Sequence, residues 1–213
     1  KVRAFDDLGN LETTGTAPSA NAITVNVTVT SPVCPCKIFP ASPNPANTLL
    51  NDNTSIEAGV KFKSTVNGYI TAIRFFKPST SGTYTVNLWD NATQQKLSFA
   101  AAQAAGTGWQ TVLLPNPVAI TAGSTYVASY YSSSGDYANT DNYFTSAVIN
   151  GYLEALISST GNENGIYRTG SSGFPTQFAL ATNYWVDIEF STTLAPDTIA
   201  PRVTSVSPLA NFE

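Results

Sequence analysis

Apolar and polar residues alternate along much of the chain, in short runs separated by Gly, Pro, Asn and Ser. In SIEAGVKF (55–62), Ile56, Ala58, Val60 and Phe62 share one face, which leaves Glu57 on the other. A period of two residues is typical of half-buried β-strands. Strands are predicted near residues 56–64, 69–77, 83–90, 95–101, 109–114, 125–131 and 183–191.

Many short strands with turn residues between them predict an all-β fold, specifically a jelly-roll-like antiparallel β-sandwich. Residues 94–105 could also form a short helix, because Leu97, Ala101 and Ala104 roughly share a helical face. We favour a strand there, since the neighbouring segments are strands. Residues 132–182 are rich in Gly, Ser and Asn, which predicts long loops at one end of the sandwich, where binding surfaces are common.

Both flanks of this region differ from it. AITVNVTVT (22–30) alternates cleanly but is too short to bury its own apolar face, so residues 1–31 are predicted to be the end of a preceding module. The prolines of residues 32–55 predict irregular structure, because proline removes a backbone donor and disfavours helix before it. Residues 192–213 are predicted to be a linker and the start of a following module.

Composition excludes several functional classes. Without His, the usual Ser-His-Asp and Cys-His catalytic sets and His-ligated metal centres cannot form. A net charge of −4 with ten scattered Lys and Arg offers no basic surface for nucleic acid. No apolar run approaches the length of a membrane span, so no membrane insertion is expected. Because Met is absent, Lys1 is expected to lie inside a longer gene product.

Residues 34–191 resemble a family of bacterial extracellular modules known only as a domain of unknown function. The matching segments are CPCKIF (34–39), SIEAGVKFKSTVNGYITAIRFFK (55–77), GTYTVNLWD (82–90), GWQTVLLPNPVAITAGSTYVASYY (108–131), NGIYRTG (164–170), FPTQF (174–178) and NYWVDIEF (183–190). The resemblance implies a non-catalytic β-sandwich, at residues 32–191, placed between immunoglobulin-like and fibronectin-like repeats of a large surface protein. DDLGN (6–10) and DTIAPRVTSVSP (197–208) then resemble the end and the start of immunoglobulin-like repeats.

Cys34 and Cys36 are separated by a single proline. Fully extended backbone places such Cα atoms about 6.8 Å apart, near the upper limit of disulfide reach, so a disulfide needs a bend that the proline can supply. A redox role is disfavoured, because thioredoxin-like motifs use two intervening residues at a helix start. A structural disulfide is favoured over free thiols, since the expected compartment is oxidising.

Acidic residues near strand ends are candidate calcium ligands. If the first and last strands pair, as in many jelly rolls, Glu57 and Asp187 approach each other. Oxygens of Asn51 and Asp52 would then extend the site, because Ca²⁺ takes six to eight oxygen ligands. The alternative is that both carboxylates are solvated and pair with nearby lysines. A glycosidase pair is not favoured, since nothing singles out two carboxylates among fourteen acidic residues.

Aromatic residues lie among Asp, Asn and Arg in the region 132–182 and are candidates for ligand binding. The candidate residues are Asp136, Tyr137, Asp141, Tyr143, Tyr167 and Arg168. Flat rings beside amide and carboxylate groups suit sugar recognition, but a protein-binding patch and packing beneath long loops are equally open. Trp89, Trp109 and Trp185 are instead expected in the core.

The leading hypothesis is a non-catalytic structural or adhesive module of a multidomain bacterial cell-surface or secreted protein. Its expected partners are the neighbouring domains of the same polypeptide, with a polysaccharide or another surface protein as candidate ligands and structural Ca²⁺ as the candidate cofactor. One alternative is a carbohydrate-binding module that directs an attached enzyme to its substrate. Another is a fibre subunit that donates the strand at 22–30 to a neighbouring copy.

Overall fold

Strands form where the sequence alternates, and turn residues end them. The computed structural model describes residues 34–39, 41–103 and 106–194. The predictions for residues 1–31, including the donated strand at 22–30, and for 195–213 lie outside the described residues. The strands are β1 (Asn47–Asn51), β2 (Ile56–Ser64), β3 (Gly68–Lys77), β4 (Tyr84–Asp90), β5 (Lys96–Ala101), β6 (Gly108–Ile120), β7 (Thr125–Ser132), β8 (Asp136–Asn139), β9 (Val148–Asn150), β10 (Leu153–Ala155), β11 (Ile166–Thr169), β12 (Gln177–Phe178) and β13 (Val186–Ser191).

Two antiparallel sheets face each other across one core. The larger sheet has the order β12-β11-β2-β7-β4-β5, with β10 between β2 and β9, and the smaller sheet has the order β13-β3-β6. The chain crosses between these sheets after β2, β3, β5, β6 and β12, and a separate pair is formed by β1 and β8. The predicted all-β, jelly-roll-like antiparallel sandwich is therefore confirmed.

Side chains on the inner faces of both sheets fill the core. Phe75 of the smaller sheet stacks on Tyr130 and Tyr84 of the larger one, with ring centroids 4.9 and 5.7 Å apart. Phe62 and Ile188 are fully buried in the same core. Since burying one such side chain contributes about 1.5–3 kcal/mol, these contacts are the main attraction between the sheets.

A strand is present at each of the seven predicted positions, although the last begins at Val186, and residues 96–101 form strand β5 rather than a helix. Two expectations need correction. The proline-rich region contains β1, which pairs with β8, and the predicted long loops of 132–182 contain five short strands, β8 to β12. Strands β8 to β12 have only two to four residues, too few for an alternating pattern to be recognised. Within the described residues, the 3-10 turn Tyr143–Thr145 is the one helical element, and no helix is long and apolar enough to cross a membrane.

The first and last predicted strands do not pair, so the condition for a calcium site between Glu57 and Asp187 is not met. β2 pairs with β7, β10 and β11, whereas β13 pairs with β3 in the other sheet. Ala58 and Ile188 both lie in the core, so their strand neighbours Glu57 and Asp187 lie on opposite outer faces of the sandwich. The two carboxylates therefore cannot share one calcium ion.

Candidate functional site

Cys34 and Cys36 are joined by a disulfide, with their Cα atoms 4.4 Å apart and a cis peptide bond before Pro35. Cys36 exchanges two backbone hydrogen bonds with Phe190, of 2.7 and 2.9 Å. The small disulfide loop therefore lies along the free edge of β13. It is followed by Ile38 and Phe39, which lie against Asp187 of the smaller sheet. No other cysteine is present in the chain.

Asp187 holds Ile38 and Phe39 against the smaller sheet. Its Oδ1 accepts hydrogen bonds from the backbone N–H groups of Ile38 (2.7 Å) and Ile188 (2.8 Å), and Arg74 Nη1 lies 2.8 Å from Oδ2. Burial raises the pKa of Asp187 to about 6, and the N–H donors and Arg74 act in the opposite direction, so the group is ionised at neutral pH. Asp187 is thus a structural residue with an arginine partner, which corrects both the calcium and the solvated-lysine interpretations.

Glu57 is completely buried on the outer face of the larger sheet. Asn87 Nδ2 (2.8 Å) and Ser129 Oγ (2.5 Å) donate to its Oε1, and Ser172 Oγ (2.7 Å) donates to its Oε2. The indole N–H of Trp89 donates to Ser129 Oγ at 2.8 Å. Glu57 is therefore buried and hydrogen-bonded to neutral side chains, instead of being solvated and paired with a lysine. It anchors the loop that contains Ser172.

Replacing Glu57 with Gln is expected to stabilise the protein more as the pH rises. Burial raises the pKa of Glu57 above 4.5, although its hydrogen bonds oppose this shift. The folded state therefore releases the proton at higher pH than the unfolded state, and the free energy of unfolding falls as the pH rises from the unfolded to the folded pKa. Thermal melts should show Glu57→Gln closest to the wild type near about pH 4 and more stable near about pH 8.

Glu154→Gln is the matched control for this change, because Glu154 is a partly exposed carboxylate paired with Lys63 at 3.1 Å. We expect no comparable pH-dependent gain from it. Parallel pH profiles for Glu57→Gln and the wild type would contradict the assignment of a raised pKa to Glu57.

Four further predicted residues are Asn51, Asp136, Tyr143 and Arg168. Asn51 Nδ2 donates to Asp136 and to the carbonyl oxygen of Ser134, linking the paired strands β1 and β8. Tyr143 packs edge-on against Trp185, with centroids 5.1 Å apart. Arg168 is exposed and lies opposite Glu57 in the β11–β2 register.

A metal site is not assembled from the predicted calcium ligands. In the part of the chain that the structure describes, no group of three or more His, Cys, Asp or Glu is placed to hold a metal ion. The Oδ1 atom of Asn51 accepts a hydrogen bond from the backbone of Asn53 at 2.6 Å, and Asp52 contacts a tyrosine hydroxyl instead of Glu57 or Asp187. The four predicted calcium ligands therefore lie in three separate places: Asn51 and Asp52 at the end of β1, Glu57 on the larger sheet, and Asp187 on the smaller sheet.

Four predicted residues do come together in one cleft, at the end of the sandwich where β1, β8 and β11 meet the segment before β13. It has a volume of about 230 Å³ and is lined by Asp52, Ile56, Tyr137, Asn139, Asp141, Tyr167, Ala179, Leu180, Thr182 and Tyr184. We call it the tyrosine cleft. Its four predicted members are Asp52, a candidate calcium ligand, and Tyr137, Asp141 and Tyr167, which are candidate ligand-binding residues.

Three tyrosine rings form the walls of the tyrosine cleft. The ring of Tyr137 lies 5.9 Å from that of Tyr184 at an interplanar angle of 65°, and the ring of Tyr167 lies 6.1 Å from it at 59°. Tyr184 is nearly buried, whereas Tyr137 and Tyr167 are half-buried. Because the rings stand at steep angles to one another, they present a concave aromatic surface.

Two carboxylates complete the tyrosine cleft. The hydroxyl of Tyr137 donates to Asp52 Oδ2 at 3.1 Å. Asp141 Oδ1 accepts from Asn139 Nδ2 at 3.0 Å and from Thr182 Oγ1 at 2.8 Å. Burial, followed by the charges of Asp52 and Asp141, raises the pKa of Tyr137 to about 12 and also raises that of Tyr184. Tyr137 and Tyr184 therefore remain protonated, and the two carboxylates give the cleft a negative potential.

The rim segment 179–182 has a strained backbone. Leu180 and Ala181 have φ angles of 49° and 48°, in the left-handed region that is uncommon for residues other than Gly. Their carbonyl oxygens accept hydrogen bonds from the backbone N–H groups of Asn142 (2.7 Å) and Phe144 (2.9 Å). Strain of this kind persists only where surrounding contacts impose it, and it is concentrated at functional sites.

Sequence reasoning missed Tyr184, because NYWVDIEF was interpreted as one continuous strand with its aromatic residues in the core. β13 begins only at Val186, after Trp185 has adopted a φ angle of 56°. This break takes Tyr184 out of the strand alternation and into the tyrosine cleft. Thr182 was also missed, since a hydroxyl in a polar loop carries no distinctive sequence signal.

A second groove, of about 600 Å³, runs along β5 and is lined by Lys96, Leu97, Ser98, Phe99, Ala100, Ala101, Gln103 and Pro115. Phe99 and Leu97 are exposed within it. Its lining is mainly apolar, and it lacks the convergent carboxylates and rings of the tyrosine cleft. Specific ligand sites usually combine apolar walls with a few placed polar groups, so the tyrosine cleft is the better candidate.

Comparison with known proteins assigns a family but no activity. A family model described as Domain of unknown function (DUF4082) matches residues 42–186, which is more than half of the chain. Every residue that lines the tyrosine cleft lies within this range. A comparison with curated proteins found no match. The expected membership in a domain-of-unknown-function family is confirmed: the chain belongs to the family described as Domain of unknown function (DUF4082).

Proposed function

We propose that this chain is a non-catalytic, adhesive β-sandwich module of a bacterial cell-surface or secreted protein, and that its tyrosine cleft binds a sugar residue of a polysaccharide. One observation carries the proposal: three tyrosine rings and two carboxylates converge in one cleft at the end of the sandwich. Sugar rings present C–H faces that pack on aromatic rings and hydroxyl groups that donate to carboxylates. The module would attach its parent protein to a glycan surface.

The dimensions and setting of the cleft support this function. Its volume of about 230 Å³ is below the roughly 300–1,000 Å³ typical of sites for drug-sized ligands, and it suits one sugar residue of a longer chain. The Cys34–Cys36 disulfide favours an oxidising, extracellular setting, since disulfides are rare in reducing compartments. The short strands and bonded loops around the cleft hold its residues in place without a ligand, which reduces the entropic cost of binding.

Replacing Tyr167 with Ala is expected to weaken glycan binding by about 10-fold or more, because buried aromatic contacts supply most of the energy in such sites. Tyr167 is preferable to Tyr184 for this test, since Tyr184 is only 6% exposed and its loss would also affect folding. A glycan array should first identify a bound polysaccharide, and isothermal titration with an oligosaccharide of it should then compare the affinities.

The matched control is Tyr69→Ala. Tyr69 is also half-buried, but it lies opposite Ser191, at the far end of β13 from Tyr184. Its loss should leave binding unchanged. Absence of binding to any glycan on a broad array would refute the proposed function. Glycan hydrolysis that depends on Asp52 or Asp141 would refute its non-catalytic part.

A further inference from the structure

Resting on the proposed function, we infer that the tyrosine cleft selects sugars with a free, protonated amino group: its ligand is a polysaccharide of unacetylated amino sugars. The three tyrosine rings and the carboxylates of Asp52 and Asp141 form a cage for an ammonium group. An ammonium ion held against aromatic faces and beside carboxylates gains cation–π attraction and charge-assisted hydrogen bonds together.

Carboxylate oxygens that accept no hydrogen bond from the described residues support an ammonium ligand. Several donors at the cleft already have acceptors: Asn139 Nδ2 donates to Asp141, the hydroxyl of Tyr137 donates to Asp52, and the hydroxyl of Thr182 lies within reach of Asp141 Oδ1 and the carbonyl oxygen of Ala179. Among the described residues, nothing donates to Oδ2 of Asp141 or Oδ1 of Asp52. The cleft therefore offers unused acceptors, and a ligand rich in donors satisfies them. An ammonium group has three donors and no acceptor.

Charge supports the same ligand. No Lys or Arg is among the residues that line the cleft in the described part of the chain, whereas two carboxylates are. Their negative potential contributes to the raised pKa of Tyr137. Uronic acids, sialic acids and phosphorylated sugars would meet uncompensated repulsion there. A neutral acetylated sugar would leave both carboxylates without a charged partner.

The geometry of the rings suits a compact cation. Tyr137 and Tyr167 both contact Tyr184, at interplanar angles of 65° and 59°, so the three rings that line the cleft do not form one flat platform. A flat platform favours the extended face of a neutral sugar ring, whereas converging rings surround a small group. The exposed side chain of Leu180 at the rim would contact the apolar face of the attached sugar.

The test compares two oligosaccharides of equal length that differ only in acetylation, glucosamine hexamer and N-acetylglucosamine hexamer. Isothermal titration of the full chain, at mildly acidic pH and low salt, should show at least about 10-fold tighter binding of the amino form. Added salt should reduce this preference, because it screens attraction between the ammonium and the carboxylates. Asp52→Asn and Asp141→Asn should each reduce it, and the double variant should abolish it.

Asp90→Asn is the matched control, since the side chain of Asp90 accepts hydrogen bonds from Thr93 in its own turn and does not line the cleft. Equal binding of both hexamers, or binding only of a neutral glycan from the array, would overturn the inference and leave the proposed function intact. No glycan binding at all would overturn both. Tighter binding of a lysine-rich peptide, or binding of the amino hexamer that requires calcium and is lost with a chelator, would also overturn it.

Discussion

Replacing Gly165 with Ala is expected to lower the free energy of unfolding by about 2–5 kcal/mol and to weaken ligand binding at the tyrosine cleft. Gly165 has a φ angle of +74°, and a Cβ atom there would lie 1.8 Å from the carbonyl oxygen of Thr182. The left-handed backbone costs about 1–2 kcal/mol for a residue with a Cβ atom, and displacing packed backbone costs about 1–3 kcal/mol more. Thr182 also donates to Asp141, so its displacement disturbs the cleft.

The matched control is Gly161→Ala. Gly161 has a similar φ angle of +79°, but a Cβ atom there would meet nothing within 4 Å. This variant should lose only the backbone contribution of about 1–2 kcal/mol and should bind ligand normally. Thermal melts of both variants separate backbone strain from the clash with Thr182. If the two variants were equally stable, the proposed contact between Gly165 and Thr182 would be refuted.

Replacing Arg74 with Ala is expected to destabilise the protein by about 2–3 kcal/mol near neutral pH, because the buried Asp187 loses its cation and the contacts of Arg74 with Ser42 and Trp109 are lost. Arg74 contacts Asp187 Oδ2 at 2.8 Å, donates to Ser42 Oγ at 2.6 Å and lies 4.8 Å from the ring centroid of Trp109. Denaturant unfolding near neutral pH would measure the loss. It should be smaller in acid, since a protonated Asp187 needs no positive partner.

Lys63→Ala provides the contrast, since Lys63 and Glu154 form a partly exposed pair at 3.1 Å. Removing it should cost under about 1 kcal/mol. The double variant Arg74→Ala, Asp187→Asn should be more stable than Arg74→Ala alone, because the asparagine oxygen still accepts from Ile38 but carries no charge. A double variant less stable than the single one would show that lost packing, not the unpaired charge, dominates the effect.

The tertiary structure gave Glu57 and Asp187 different roles from those predicted. Each was correctly placed on the polar side of its strand, because alternation is a local property of the backbone. Which sheet each strand joins depends on pairing between distant segments, and that pairing put the carboxylates on opposite outer faces. Their burial depends in addition on covering segments, Ile38–Phe39 for Asp187 and the loop with Ser172 for Glu57.

The tyrosine cleft was partly predictable. Tyr137, Asp141 and Tyr167 were predicted because aromatic rings beside amide and carboxylate groups in a Gly- and Ser-rich region suit sugar recognition. Asp52 was recognised for a different reason, as a calcium ligand, and the structure places it with them. Tyr184 could not be found, since the left-handed turn at Trp185 that redirects it has no sequence signature.

By itself, the sequence determined the all-β class, the approximate positions of seven strands, and the exclusion of histidine-dependent chemistry. These properties follow from residue type and from a period of two residues, which neighbouring residues define. Only the tertiary structure decided which strands pair, which carboxylates are buried, and which tyrosines converge. These depend on contacts between segments as far apart as Asp52 and Tyr184, whose meeting results from burying one common core and not from any local pattern.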